Sequence, residues 1–162
     1  MKGDYIMVDN KRHLRDTGIC LIVLAILDLF TAMSSFLAGY FDGTFDKAFA
    51  NVDPAVVTAS KVVMAVLLCF WMVLVIAEVF IGVKGITISA NPSADKGYIT
   101  AAKVFLVFNA LGVLSYAVTI FNTTSATAFD NVTGLASATL SACAYGLFIN
   151  YATAVRNEFL QG

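Results

Sequence analysis

The sequence predicts an all-α integral membrane protein, a four-helix transmembrane bundle running up-down-up-down with both termini cytoplasmic. Three observations carry that expectation. Of 162 residues, 59% are hydrophobic and only 13% charged, with a mean hydropathy of +0.83, well above the composition of a domain that folds in water. The apolar residues gather in four stretches, each of about 20 residues or more, enough to cross roughly 30 Å of hydrocarbon at about 1.5 Å per residue. The basic residues, finally, concentrate in alternate connections.

Residues 1–16 mix Lys2, Lys11, Arg12 and Arg15 with Asp4, Asp9 and Asp16 and read as a cytoplasmic tail. The first span, 17–40, follows as TGICLIVLAILDLFTAMSSFLAGY, with the single charge Asp28 near its middle. It is too long for the apolar region of a signal peptide and lacks a small-x-small cleavage site, so it is expected to stay in the membrane. An outer loop then turns at Asp42-Gly43. Asp53-Pro54 has the pattern of an N-cap followed by proline at the first helical position.

The second span, 60–83, carries Glu78 as its only charge between Lys61 and Lys84. Gly85 and Asn91-Pro92-Ser93 are expected to break the chain in an inner loop, with the next helix resuming near Gly97 or Tyr98. Lys103 and Asp130 bracket the third span, 101–121; Asp130 and Arg156 bracket the fourth, 135–155, which leads into a tail at 156–162. The whole chain, 1–162, is read as one membrane domain.

Orientation follows from the basic residues. The two tails and the loop from Lys84 to Lys103 hold Lys2, Lys11, Arg12, Arg15, Lys84, Lys96, Lys103 and Arg156, whereas the other loops hold only Lys47 and Lys61. The positive-inside rule puts the first group in the cytoplasm, in a plasma membrane or a bacterial inner membrane. A shift of 80 residues aligns AFANV at 48–52 with AFDNV at 128–132. Both a parallel duplication and chance likeness between two apolar hairpins account for that echo.

Lipid tails provide no hydrophobic drive for helices to associate, so small residues mark the packing faces. Heptad spacing on the first helix aligns Gly18, Ala25, Ala32, Ser35 and Gly39 with Asp28. On the third it aligns Ala102, Phe105, Asn109, Gly112 and Tyr116, and on the fourth Ala136, Thr139, Cys143, Gly146 and Asn150. Gly82 shares a bulkier face with Glu78, Trp71 and Val75.

Asp28, Glu78, Asn109 and Asn150 form the candidate intramembrane polar site. At about 1.5 Å per residue, Asp28 lies about 16 Å deep and the other three roughly 8 to 10 Å from the cytoplasmic boundary. Ionisable groups at such depths cost roughly 2.5 to 3.5 kcal/mol or more and are functional candidates. For Asp28 one reading is a proton or cation site; the other is a carboxyl hydrogen-bonded to Asn109, Tyr116 or Tyr145 that fixes helix register. Glu78 can pair with Lys84 or Lys103 or reach water. Asn109 and Asn150 suit interhelical hydrogen bonding.

Catalytic and metal-binding residues are not expected. Cys20, Cys69 and Cys143 each lie inside an apolar run, His13 has no second ligand nearby, and no nucleophile elbow, phosphate loop, zinc-protease or dinucleotide motif is present. Net charge is −1, which speaks against nucleic acid as a partner. The expected partners are the lipid bilayer and either further copies of the chain or another membrane protein. No cofactor is expected. The expected role is that of a non-enzymatic accessory, scaffold or assembly subunit working through helix contacts. The alternative is a small oligomeric transporter or channel for protons, cations or a small solute, built on Asp28 and Glu78.

Overall fold

In a computed structural model the chain is described over residues 2–41, 52–122 and 128–161, and these are helical apart from short connections. Four helices follow in order: α1 (Lys2–Phe41), α2 (Pro54–Ala90), α3 (Gly97–Asn122) and α4 (Ala128–Gln161). All four are long and apolar enough to cross a membrane. The Asp42-Gly43 turn, Lys47 and most of the AFANV segment lie outside the described residues, so the internal echo has no structural counterpart to compare.

The helices outrun the spans read from hydropathy. α1 has 40 residues and α4 has 34, about 50 to 60 Å of helix against roughly 30 Å of hydrocarbon. The polar segment expected to be a tail is the start of α1. Gly85, expected to break the chain, lies inside α2. A single glycine weakens a helix by only about 1 kcal/mol, and here the position is used for packing.

Local chemistry sets the helix ends. The Asp53 carboxylate accepts a hydrogen bond from the Ala55 amide at 2.8 Å, and its carbonyl accepts from Val56 and Val57, the cap that the Asp-Pro pair predicts. α2 closes with the Asn91 amide donating to Thr87 at 2.9 Å, directly before Pro92. Asp95 then caps α3 by accepting from the Gly97 amide at 2.9 Å. Inside the helices Thr31, Thr58, Thr119, Thr139 and Thr153 each donate a hydroxyl to the carbonyl four residues earlier. Such bonds let threonine sit in an apolar surround without an unpaired donor.

The chain divides into two compact units, Val23–Ala77 and Met1–Ile22 with Glu78–Gly162. The Val23–Ala77 unit buries Ala25 and Val75 and leaves Trp71 half-buried. Along α2 it presents an open apolar groove lined by Ala55, Val56, Ala59, Ser60, Val63 and Met64. The other unit holds most of the core: Leu14 and Leu21 from α1, Ile81 and Ile88 from α2, Tyr98, Ile99 and Ala102 from α3, and Tyr145, Phe148, Ala152 and Val155 from α4. Large apolar side chains face outward on every helix, among them Phe30, Phe70, Phe108 and Leu147. So much exposed apolar surface suits a lipid surround.

Candidate functional site

Helix contacts are the most developed feature of the larger unit, and glycines make the closest of them. A Cβ built on Gly18 would stand 2.7 Å from the carbonyl oxygen of Gly82, and one on Gly82 would stand 2.6 Å from the carbonyl oxygen of Gly18. The same two positions face Ile86 and Ile22, so residues rising along α1 meet residues falling along α2 and the helices run antiparallel. Only a missing Cβ on both sides allows backbones to approach this closely.

Three residues further along α2, Gly85 receives the ring of Phe148, which occupies the space a Cβ would need. Gly82 and Gly85 thus seat α1 and α4 on neighbouring parts of one helix. α4 also meets α1: the Asn10 side-chain amide donates to Glu158 at 2.7 Å, and the His13 ring stacks on Tyr151 with centroids 4.9 Å apart. His13 lies 3.3 Å from Asp9 on its own helix. Asn10 and His13 ascend α1 as Glu158 and Tyr151 descend α4, a second antiparallel pair.

α3 packs along α4 through the row that heptad spacing picks out. Phe105 stacks on Tyr145 at 5.7 Å, Gly112 faces Ala138 at an ordinary 3.7 Å from its built Cβ, and the Tyr116 ring covers Gly134. Tyr98 meets Phe148 edge-on at 6.0 Å. Pair by pair, numbers rise on α3 as they fall on α4, so these helices are antiparallel too. α4 therefore touches α1, α2 and α3, although only α3 precedes it directly.

The expected packing positions separate on inspection. Gly18 and Ala25 are buried, Ala32 and Gly112 are half-buried, and Ser35 and Gly39 belong to α1 with side-chain surroundings outside the described residues. Gly146 differs: a Cβ there would meet nothing within 4 Å. α4 packs through Ala144, Tyr145, Phe148, Ala152 and Val155 and turns the row with Ala136, Thr139, Cys143 and Asn150 outward. The physical reason is area: two aromatic rings bury far more surface than small side chains, and Gly85 supplies the hollow that Phe148 fills.

Of the four expected polar positions, Glu78, Asn109 and Asn150 belong to the larger unit and Asp28 to the other. The Asn109 amide donates to the Phe105 carbonyl of its own helix at 2.9 Å, so it does not bridge helices. Asn150 is exposed, and Glu78 is half-buried. Asp28, also half-buried, belongs to the Val23–Ala77 unit. Lys84, a partner considered for Glu78, holds its ammonium 5.6 Å from the centre of the Phe80 ring.

Sequence reasoning missed the polar contacts at the start of α1 and the end of α4. The Glu158 oxygen that does not accept from Asn10 is buried and without a hydrogen bond, as is the Tyr98 hydroxyl. Arg156 donates to the Ala94 carbonyl at 3.1 Å and ties α4 to the connection before α3. Residues separated by more than a hundred positions carry no periodic signal that pairs them. The Gly82-x-x-Gly85 spacing at the end of the second apolar run was a signal available in the sequence, since it places two bare patches on adjoining faces of one helix.

Among the described residues no group of three or more histidine, cysteine, aspartate or glutamate side chains is placed to hold a metal ion. Comparison of the chain with protein-family models, with curated proteins and with solved structures gives no match.

Proposed function

We propose that this is a multi-pass protein of a plasma or bacterial inner membrane that works through helix contacts, as a non-enzymatic accessory, scaffold or assembly subunit. Its four helices form an up-down-up-down bundle with both termini cytoplasmic. The observation that carries the reading is the mutual backbone contact of Gly18 and Gly82. It belongs to a chain whose best-formed geometry is helix packing. The antiparallel register of α1 with α2, α1 with α4 and α3 with α4 supports the topology, and the basic residues in alternate connections support the orientation.

Two measurements test this. A reporter fused after Gly162 reads as cytoplasmic; an external signal contradicts the orientation. Leucine at Ala32 or Gly112 disrupts co-purification of the oligomer or of a partner, and association unchanged by both substitutions contradicts the scaffold role.

A further inference from the structure

Three helix contacts set one height on all four helices. Gly18 meets Gly82, and Asp16 stands two residues before the first as Lys84 stands two after the second. Gly85 meets Phe148, and Lys84 and Leu147 immediately precede them. Phe105 stacks on Tyr145, with Lys103 two residues before the one and Leu147 two after the other. Asp16, Lys84, Lys103 and Leu147 therefore form a ring. It lies where the apolar spans end, since no charge follows Lys103 before Asp130 and only Glu78 lies between Lys61 and Lys84.

The cations of this ring differ in their partners. On α1 Asp16 lies 3.2 Å from Arg15 and 3.9 Å from Arg12, so that side is paired. Lys84 and Lys103 have no carboxylate within salt-bridge distance among the described residues. The Lys84 ammonium instead leans onto Phe80, 5.6 Å from the ring centre, because helical side chains tilt toward the N-terminus and the apolar part of α2 lies that way. The two lysines also share an edge. Only residues 91–96 separate α2 from α3, and so short a connection holds helices side by side. Buried Ile81 and Ile88 on α2 and buried Ile99 on α3 mark flanks that close on a neighbour. Lys84 lies one turn from the first two, and Lys103 one turn from Ile99. One turn to the apolar side of each lysine, Phe80 and Val107 are exposed. The acidic residues of α2, α3 and their connection are Glu78 and Asp95; Glu78 shares the row of Gly85, which faces α4, and Asp95 accepts from the Gly97 amide.

We propose that this edge holds an anionic glycerophospholipid of the leaflet at this end, its phosphate between Lys84 and Lys103 and its acyl chains along Phe80 and Val107. The inference rests on the membrane placement proposed above. Charge selects an anion, because two ammonium groups at the margin of the hydrocarbon need a counter-charge that the ring does not supply. Position selects a lipid over a soluble phosphate, because an anionic head above two chains meets both the lysines and the apolar surface one turn away.

Native mass spectrometry of the full chain tests this, in a neutral detergent with equal amounts of phosphatidylglycerol and phosphatidylcholine. The wild type carries phosphatidylglycerol in about fivefold excess or more. Lys84→Gln with Lys103→Gln brings the two lipids within about twofold, whereas arginine at both positions keeps the preference. Lys11→Gln with Arg12→Gln removes the same charge from α1 and keeps it too. Equal binding of the two lipids by the wild type, or a preference that the glutamine pair keeps or the arginine pair loses, overturns the proposal. An equal loss in the α1 variant overturns it in favour of diffuse charge, and displacement of the lipid by excess glycerol phosphate overturns it in favour of a soluble phosphate. Retention of the chain in phosphatidylcholine vesicles after an alkaline wash is read in parallel. Release by that wash contradicts the membrane placement itself, whereas retention without a lipid preference contradicts only the lipid site.

Discussion

Gly18 and Gly82 exclude each other's side chains: the space a Cβ would take on either is held by the other's carbonyl oxygen, at 2.7 and 2.6 Å. The contact is backbone to backbone, so no rotamer change relieves an added methyl. Alanine at Gly18 or at Gly82 therefore lowers stability in detergent by about 1 to 3 kcal/mol, as overpacking does. Alanine at Gly146 acts in the opposite sense. Nothing lies within 4 Å of its Cβ position, and alanine favours helix over glycine by about 1 kcal/mol. Thermal unfolding of the three variants checks both signs.

Gly85 and Phe148 form a second pair of this kind, but one partner is a ring that can be trimmed. Gly85→Ala destabilises by about 1 to 3 kcal/mol, and Phe148→Leu destabilises by vacating the hollow. The double variant loses less than the sum, because the smaller side chain leaves room for the methyl. A double-mutant cycle measures the difference, and additivity would show that the two residues do not meet.

At the start of α1 and the end of α4, Asn10 gives Glu158 its hydrogen bond while the other carboxylate oxygen is buried without one. Asn10→Ala leaves that carboxylate with neither, at a cost of about 1 to 2 kcal/mol. Hydrogen exchange at the last turns of α4 rises in the variant, while exchange around Ala144 and Tyr145 does not.

Asn109 donates to its own helix, so replacing it removes no bond between helices. Asn109→Leu changes stability by less than about 1 kcal/mol. A larger loss, of the size seen for an interhelical bond, would contradict the assignment of its partner.

Much of this architecture can be read from the chain, because membrane constraints are simple. Apolar runs of the right length gave four helices, Asp53-Pro54 gave the start of α2, and Asn91-Pro92 gave its end. Heptad spacing found the α3 row that meets α4. It chose the outward row on α4, since a helix with small residues on one face and aromatics on another does not announce which will pack. Tyr145 and Phe148 prevail by area and by the presence of Gly85, a residue far away in sequence. Gly85 itself was mistaken for a breaker because a glycine before a polar loop looks alike in either role. The Asn10–Glu158 and His13–Tyr151 contacts lay beyond reach for the same reason: they depend on how distant helices meet.

The scaffold role and the transport alternative also part over flux. Purified wild-type protein in proteoliposomes shows no proton or cation flux above empty vesicles, read with a pH-sensitive dye and with ion-selective electrodes. A flux that Asp28→Asn abolishes, with folding intact, would move the function to the polar site.

The most direct test of a protein that works through helix contacts is the mass of the complex it forms. It is measured after extraction from native membranes into lipid nanodiscs, for the wild type, Asp28→Asn and Ala32→Leu. The wild type and Asp28→Asn run as the same discrete complex, larger than one chain, and Ala32→Leu runs smaller. A wild type that runs as a single chain, or a complex that responds to Asp28 and not to Ala32, contradicts the account.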